Sequence, residues 1–110
     1  MPYINISISS KVDDKKKLLE EISLLVSSLT NKSKRFVMAK LDDERVMYFD
    51  DKSPCCFLEI KSIGSLSPSE IAKPISNFVS EKIGIPIDNI YISFEDVPGN
   101  MWAWNGRTFG

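Results

Sequence analysis

Pro2 stands directly behind Met1, and Met before a residue as small as proline is normally trimmed. Trimming would leave a secondary amine at the start of the chain. An α-amino group has a reference pKa of roughly 7.7 to 8.0, and burial beside a cation lowers it, so this amine can be neutral and basic at physiological pH. A base near the working pH suits proton transfer next to a carbonyl. Taken alone, a Met-Pro start is also an ordinary beginning. Lys32 follows the first helix, and taken alone it reads as a solvated cation set against the helix dipole. Tyr91 alternates with Ile90 and Ile92, so its ring faces away from the helices, where simple packing accounts for it. Asp42, Asp43, Glu44, Asp50 and Asp51 lack the spacing of a calcium loop and read as two solvated turns. The chain has no histidine, which excludes Ser-His-Asp and Cys-His pairs, His-containing zinc sites and His proton shuttles. Adjacent Cys55 and Cys56 cannot make an ordinary disulfide framework and read as reduced, half-buried strand residues.

The elements that must position these groups follow from periodicity. Residues 2–9 alternate strictly, with Pro2, Ile4, Ile6 and Ile8 on one face, as in a half-buried strand that begins at proline. From Asp13 to Thr30, Leu18, Ile22, Leu25 and Leu29 recur at helical spacing. A strand is expected at about Arg35 to Leu41, a short one at Arg45 to Phe49 and a long one at Cys55 to Ile63. Ser67-Pro68-Ser69-Glu70 has the form of a capping box opening a helix with core face Ile71, Ile75, Phe78, Val79 and Ile83; Pro74 is expected to bend or delay it. Asn89 to Phe94 makes another strand, and Pro98-Gly99-Asn100 turns the chain into an aromatic segment, Met101 to Trp104.

The order strand–helix–strand–strand occurs twice. An offset of 53 to 54 residues aligns Ile22-Ser23 with Ile75-Ser76, Val26 with Val79, Asp42 with Asp96 and Met47 with Met101. The expectation is one α/β (α+β) domain over 1–110, a duplicated β-α-β unit with pseudo-repeats about 1–53 and 54–110. It would hold a four-stranded mixed sheet, both helices on one face and short strands besides. The other face, carrying Tyr3, Met38 and Tyr91, would need covering by further subunits.

Composition bounds the rest. A chain of 110 residues with 43% hydrophobic content can bury one core. Fourteen basic against fifteen acidic residues, with no basic run, give no nucleic-acid footprint. Pro2 to Ile8 matches neither a signal peptide nor a membrane span, so a cytoplasmic location is expected and no membrane partner; leaderless secretion stays open.

Six stretches, in order, resemble the macrophage migration inhibitory factor family of the tautomerase superfamily. They are the Met-Pro start, Thr30-Asn31-Lys32, Ser53-Pro54-Cys55, Lys61-Ser62-Ile63-Gly64, Asp88-Asn89-Ile90-Tyr91-Ile92, and Trp104-Asn105-Gly106-Arg107-Thr108-Phe109. The resemblance implies a tautomerase fold assembled as a homotrimer, with active sites at subunit interfaces and Pro2 as catalytic base. It implies that Lys32 holds a substrate carboxylate or oxyanion, that Ile63 offers backbone contact, and that Tyr91 reaches in from the adjacent subunit. Phe36, Trp104 and Phe109 would be aromatic walls. Ser93 stands where many relatives carry Asn, a shorter hydroxyl for holding a ring substituent. Mammalian relatives carry a Cys-x-x-Cys, whereas Cys55-Cys56-Phe57-Leu58 keeps only its first cysteine.

The implied activity is keto–enol tautomerisation of phenylpyruvate-like, or dopachrome-like, aromatic 2-oxo acids, an isomerase reaction needing no cofactor or metal. The alternatives are a cytokine-like receptor-binding protein with a vestigial pocket, a role no residue pattern here supports, and a purely structural trimer. Turnover abolished by changing Pro2 separates the enzyme from both.

Overall fold

Alternation along β1 (Tyr3–Ile8) gives the strand one dry face: Ile4, Ile6 and Ile8 are fully buried while Tyr3, Asn5 and Ser7 are half-exposed. Each such burial contributes roughly 1.5 to 3 kcal/mol. The computed structural model describes all 110 residues. Along the chain β1 is followed by α1 (Lys15–Thr30), β2 (Met38–Asp42), β3 (Cys56–Ser62), α2 (Pro68–Ile83) and β4 (Ile90–Asp96), then β5 (Ala103–Trp104) and β6 (Arg107–Thr108).

The four long strands form one mixed sheet in the order β2-β1-β3-β4. β1 runs parallel to β2 and antiparallel to β3, and β3 runs parallel to β4. Both helices lie over the isoleucine face, and the core is the layer between, from Ile4, Ile6, Leu58 and Ile60 to Ile22, Val26, Ile75 and Val79. No helix is long and apolar enough to cross a membrane.

Asp14 caps α1, its carboxylate accepting the Lys17 N–H at 3.1 Å, and Asn31 ends it in the left-handed region at φ 55°, which asparagine tolerates. The buried row of α1 is Leu18, Ile22, Val26 and Thr30; Leu25 and Leu29 flank it. The helix buries Ser23 and Thr30 because each hydroxyl donates to the carbonyl four residues back, at 2.7 Å. In α2 the Ser67 side chain makes no cap hydrogen bond, so the expected capping box is replaced by backbone bonds from the Glu70 and Ile71 N–H groups to the Ser67 carbonyl. Pro74 lies inside α2 without delaying it, since Glu70, whose carbonyl loses a donor there, is exposed to water. Phe78 and Ile83 are only partly buried.

Several expected boundaries move. Residues 34–36 are a 3-10 turn, because Ser33 accepts the Arg35 and Phe36 N–H groups, and the strand starts only at Met38. Residues 45–49 form no strand. Arg45 bonds once to the Ile8 carbonyl, but Val46 and Tyr48 are exposed and no strand of this chain lies beside them. Asn89 ends a 3-10 turn ahead of β4 rather than opening the strand, its amide donating to the Pro54 carbonyl at 3.0 Å. The Met101–Trp104 segment divides between a 3-10 turn (Gly99–Met101) and the hairpin β5-β6. That hairpin turns on Asn105 and Gly106, both at positive φ, the chemistry a two-residue hairpin favours. Cys55 and Cys56 are free and buried, not half-buried: Cys56 opens β3 in the core, and Cys55 just before it is tied by its backbone to Ser9. Burial, and then the neighbouring Cys55, push the Cys56 thiol up to about 12.

Candidate active site

Four chain segments meet at the start of β1. The left-handed Asn31 turns the chain out of α1, and Ser27 then fixes Lys32 twice, accepting its N–H at 3.2 Å and donating its hydroxyl to the Lys32 carbonyl. Ile63 follows β3 in a turn pinned on both sides. Val97 N–H donates to the Ser62 carbonyl and Gly64 N–H to the Asp96 carboxylate, each at 2.8 Å. Phe109 is held by its own N–H, shared between the carbonyls of Gly99 and Trp102. Gly99 permits this approach, since a Cβ there would meet the Phe109 carbonyl oxygen at 3.2 Å. Met38 N–H donates to the Pro2 carbonyl at 3.1 Å and so ties the first residues to β2.

Two hollows result, separated by Met1 and Phe36. One, of about 210 Å³, lies between Met1, Lys32, Ser33, Phe36, Ile63 and Phe109. The other, of about 290 Å³, contains Pro2 with Tyr3, Arg35, Trp102 and Trp104 among its walls. Phe36 meets Trp104 edge-on, centroids 5.9 Å apart, so the aromatic wall is packed rather than loose. Pro2 is fully buried. The amino group of Met1 titrates below its usual 8.0, first because of burial and second because of the positive charge of Lys32. Such a place can hold a neutral amine, an anion near Lys32 and a flat ring against Phe36 and Phe109.

Pro2, Lys32, Phe36, Ile63, Trp104 and Phe109 are therefore brought together around these hollows. Tyr91 and Ser93 are not. Both lie on the sheet face away from the helices, Tyr91 opposite Phe57 and Phe57 opposite Ser7. Pro2 lies five residues before Ser7, about 16 Å along the strand. Tyr91 packs instead on Phe49, at 4.7 Å, and on Phe57, at 6.4 Å. Arg35, Ser33 and Trp102 line the hollows without having been singled out from sequence. The Asn105-Gly106 pair was the signal that could have placed the hairpin, and with it Trp102.

The remaining candidates resolve into structural roles. Asp43 accepts the Val12 N–H at 3.0 Å and pairs with Lys15, while Asp42 pairs with Lys40 and Arg45. A third hollow, of about 280 Å³, lies beyond the far end of β1, where Lys11, Lys17 and Lys82 face Asp13, Asp14 and Glu21. Its charges balance, with Lys82 and Glu21 3.0 Å apart, and it lacks an aromatic wall.

Comparison with known proteins agrees with this geometry. The family profile described as macrophage migration inhibitory factor (MIF) matches residues 1–110. The macrophage migration inhibitory factor homolog of Trichinella spiralis is 27% identical over 99% of this chain and 100% of its own. That of Xenopus tropicalis is 28% identical over 84% of each. Among solved structures, a macrophage migration inhibitory factor homologue from Prochlorococcus marinus superposes with a TM-score of 0.92 at 41% identity, covering 98% of this chain and 99% of that one. The Trichinella spiralis protein superposes at 0.91 with 26% identity over 97% and 99%. Matched from end to end in sequence and in fold, the chain belongs to the macrophage migration inhibitory factor family.

Proposed function

We propose that the chain is a keto–enol tautomerase of phenylpyruvate-like 2-oxo acids, with dopachrome-like substrates as a second group, and that the amine of Pro2 is its general base once Met1 is removed. Family membership, within the tautomerase superfamily, supports an isomerase in general. The observation that carries the finer reading is the place of the amino end: partly buried, near the charge of Lys32, between the two hollows. Met1 lines both hollows, so removing it would open space beside the Pro2 nitrogen on either side of Phe36.

In the proposed reaction the neutral Pro2 nitrogen takes a proton from C3 of the keto acid. The electron pair passes into the carbonyl, giving an enolate. Lys32 draws in the carboxylate and steadies the new negative charge, with backbone groups around Ile63 available as further contacts; donors of this kind are commonly worth about 3 to 4 kcal/mol. The protonated Pro2 returns the proton to complete either direction. Tyr91 enters this scheme from a neighbouring subunit, which makes a homotrimer part of the proposal. The exposed Met38, Phe57 and Tyr91 on the open sheet face support such an assembly. A cytoplasmic location belongs to the same reading.

The deciding experiment is turnover of phenylpyruvate by two preparations distinguished by mass, one without Met1 and one retaining it. Activity in the first and loss in the second is expected. Equal activity in both removes Pro2 as the base.

A further inference from the structure

Ser62 is the last residue of β3, and its side chain is completely buried. The pairing of Tyr3 with Lys61 continues one step further to set Pro2 opposite Ser62. Burial alternates along both strands, so both side chains fall on the helix-covered face, where directly opposed Cβ atoms are about 4.5 to 5.5 Å apart. The Ser62 hydroxyl nevertheless has no hydrogen-bond partner. The other buried hydroxyls, Ser23 and Thr30, each reach a helix carbonyl, and the other orphaned atoms, in Asn5 and Ser10, belong to half-exposed residues. A fully buried hydroxyl without a partner is costly and rare.

Its cross-strand neighbour supplies a reason. While Met1 is attached, the Pro2 nitrogen is a tertiary amide, with no hydrogen to donate and its lone pair delocalised. Removing Met1 turns that nitrogen into a secondary amine, which can both donate and accept. We propose that Ser62 is a positioning residue for the base: its oxygen accepts the N–H of the Pro2 amine and thereby turns the nitrogen lone pair toward the cleft. This rests on the reading of Pro2 given above. A secondary amine has one N–H and one lone pair, so fixing the first aims the second. The charged side chains lining the hollows around Pro2 are Lys32 and Arg35. Both disfavour the protonated amine, whereas an acceptor at Ser62 favours it, so the two influences have opposite signs.

The test uses Met1-free chains of wild type, Ser62→Ala and Ser62→Thr, with the Pro2 nitrogen titrated directly by NMR after labelling with [15N]proline. Ser62→Ala is expected to lower the amine pKa by about one unit, the difference between hydrogen bonds to a charged and to a neutral donor. Its kcat on phenylpyruvate should fall roughly tenfold with KM little changed, and Ser62→Thr should restore the titration. In the chain that keeps Met1, Ser62→Ala should raise Tm, because it removes a hydroxyl that has no partner. In the Met1-free chain it should lower Tm. An unaltered titration in Ser62→Ala, or the same rise in Tm with and without Met1, overturns the proposal. If wild type titrates as expected but does not turn over phenylpyruvate, the tautomerase reading fails and the titration still decides Ser62. If retention of Met1 abolishes turnover while Ser62→Ala changes nothing, Ser62 alone is wrong.

Discussion

The start of β1 and the open face of the sheet both expose aromatic rings, yet they differ in what one chain supplies. At the start of β1, Phe36, Trp104 and Phe109 pack with Lys32 and Ile63 around a single terminus, and every segment there is pinned by hydrogen bonds. On the open face, Tyr91 packs on Phe49 and meets Phe57 edge-on, beside a segment at 45–49 that has strand-like composition and no strand to join. The first region gathers most of its candidate groups within one chain. The second is a surface whose role depends on what lies against it.

The largest effect expected of that difference concerns the terminus. Retaining Met1 should lower kcat/KM for phenylpyruvate by about 10² to 10⁴, the usual worth of a general base. In the Met1-free chain the pH profile of kcat/KM should rise through one ionisation below 8.0, because the burial and the Lys32 charge that lower the Met1 amine would act on a Pro2 amine in the same corner. A profile rising only above that value would place the amine in open solvent.

The open face gives the next effect. Tyr91→Ala should reduce kcat/KM roughly tenfold or more despite its distance from Pro2 in its own chain. Co-refolding that variant with a Met1-retaining chain should recover part of the activity, since mixed assemblies can hold one intact site. Absence of recovery, with sedimentation showing a stable monomer, would leave the two regions unconnected.

A smaller effect is expected of Lys32→Ala. KM for carboxylate substrates should rise about tenfold while stability changes by only about 0.3 to 1 kcal/mol, the range for a cation near a helix end. Equal KM for acid and ester substrates in wild type would remove its role. The smallest concerns Asp43, whose carboxyl is held below the usual 3.8, chiefly by the Val12 N–H. A depressed carboxyl contributes stability above its unfolded pKa and loses it as pH falls through the lower folded value. Asp43→Asn should flatten the acid limb of the melting profile below pH 3.8 without touching activity.

How far the sequence reached can be judged from particular residues. The period-2 run ending at Ile8 and the helical run from Leu18 placed β1 and α1 within a residue or two, because burial of one face imposes its period directly. The same rule failed at 45–49. Alternation reports a strand's preference for burying one side, and a strand also needs a neighbour, which here the chain does not provide. On α1, Thr30 looked polar and is buried, because its hydroxyl is satisfied by the carbonyl of Val26 within the helix.

By itself, then, the sequence determined the amphipathic elements, their order and the absence of histidine chemistry, all of which depend on residue type and local spacing. Its family resemblance gathered Pro2, Lys32, Ile63, Phe36, Trp104 and Phe109 as site candidates before any geometry was known. Only the tertiary structure decided that Met1 and Phe36 divide the cleft, that Phe109 reaches it by way of Gly99, and that Tyr91 and Ser93 stand away from it. It also left the Ser62 hydroxyl buried opposite Pro2 without a partner. These outcomes depend on which strand lies beside which and in what register, and register is a property of pairs of segments far apart in the chain, invisible to the spacing of residues within either one.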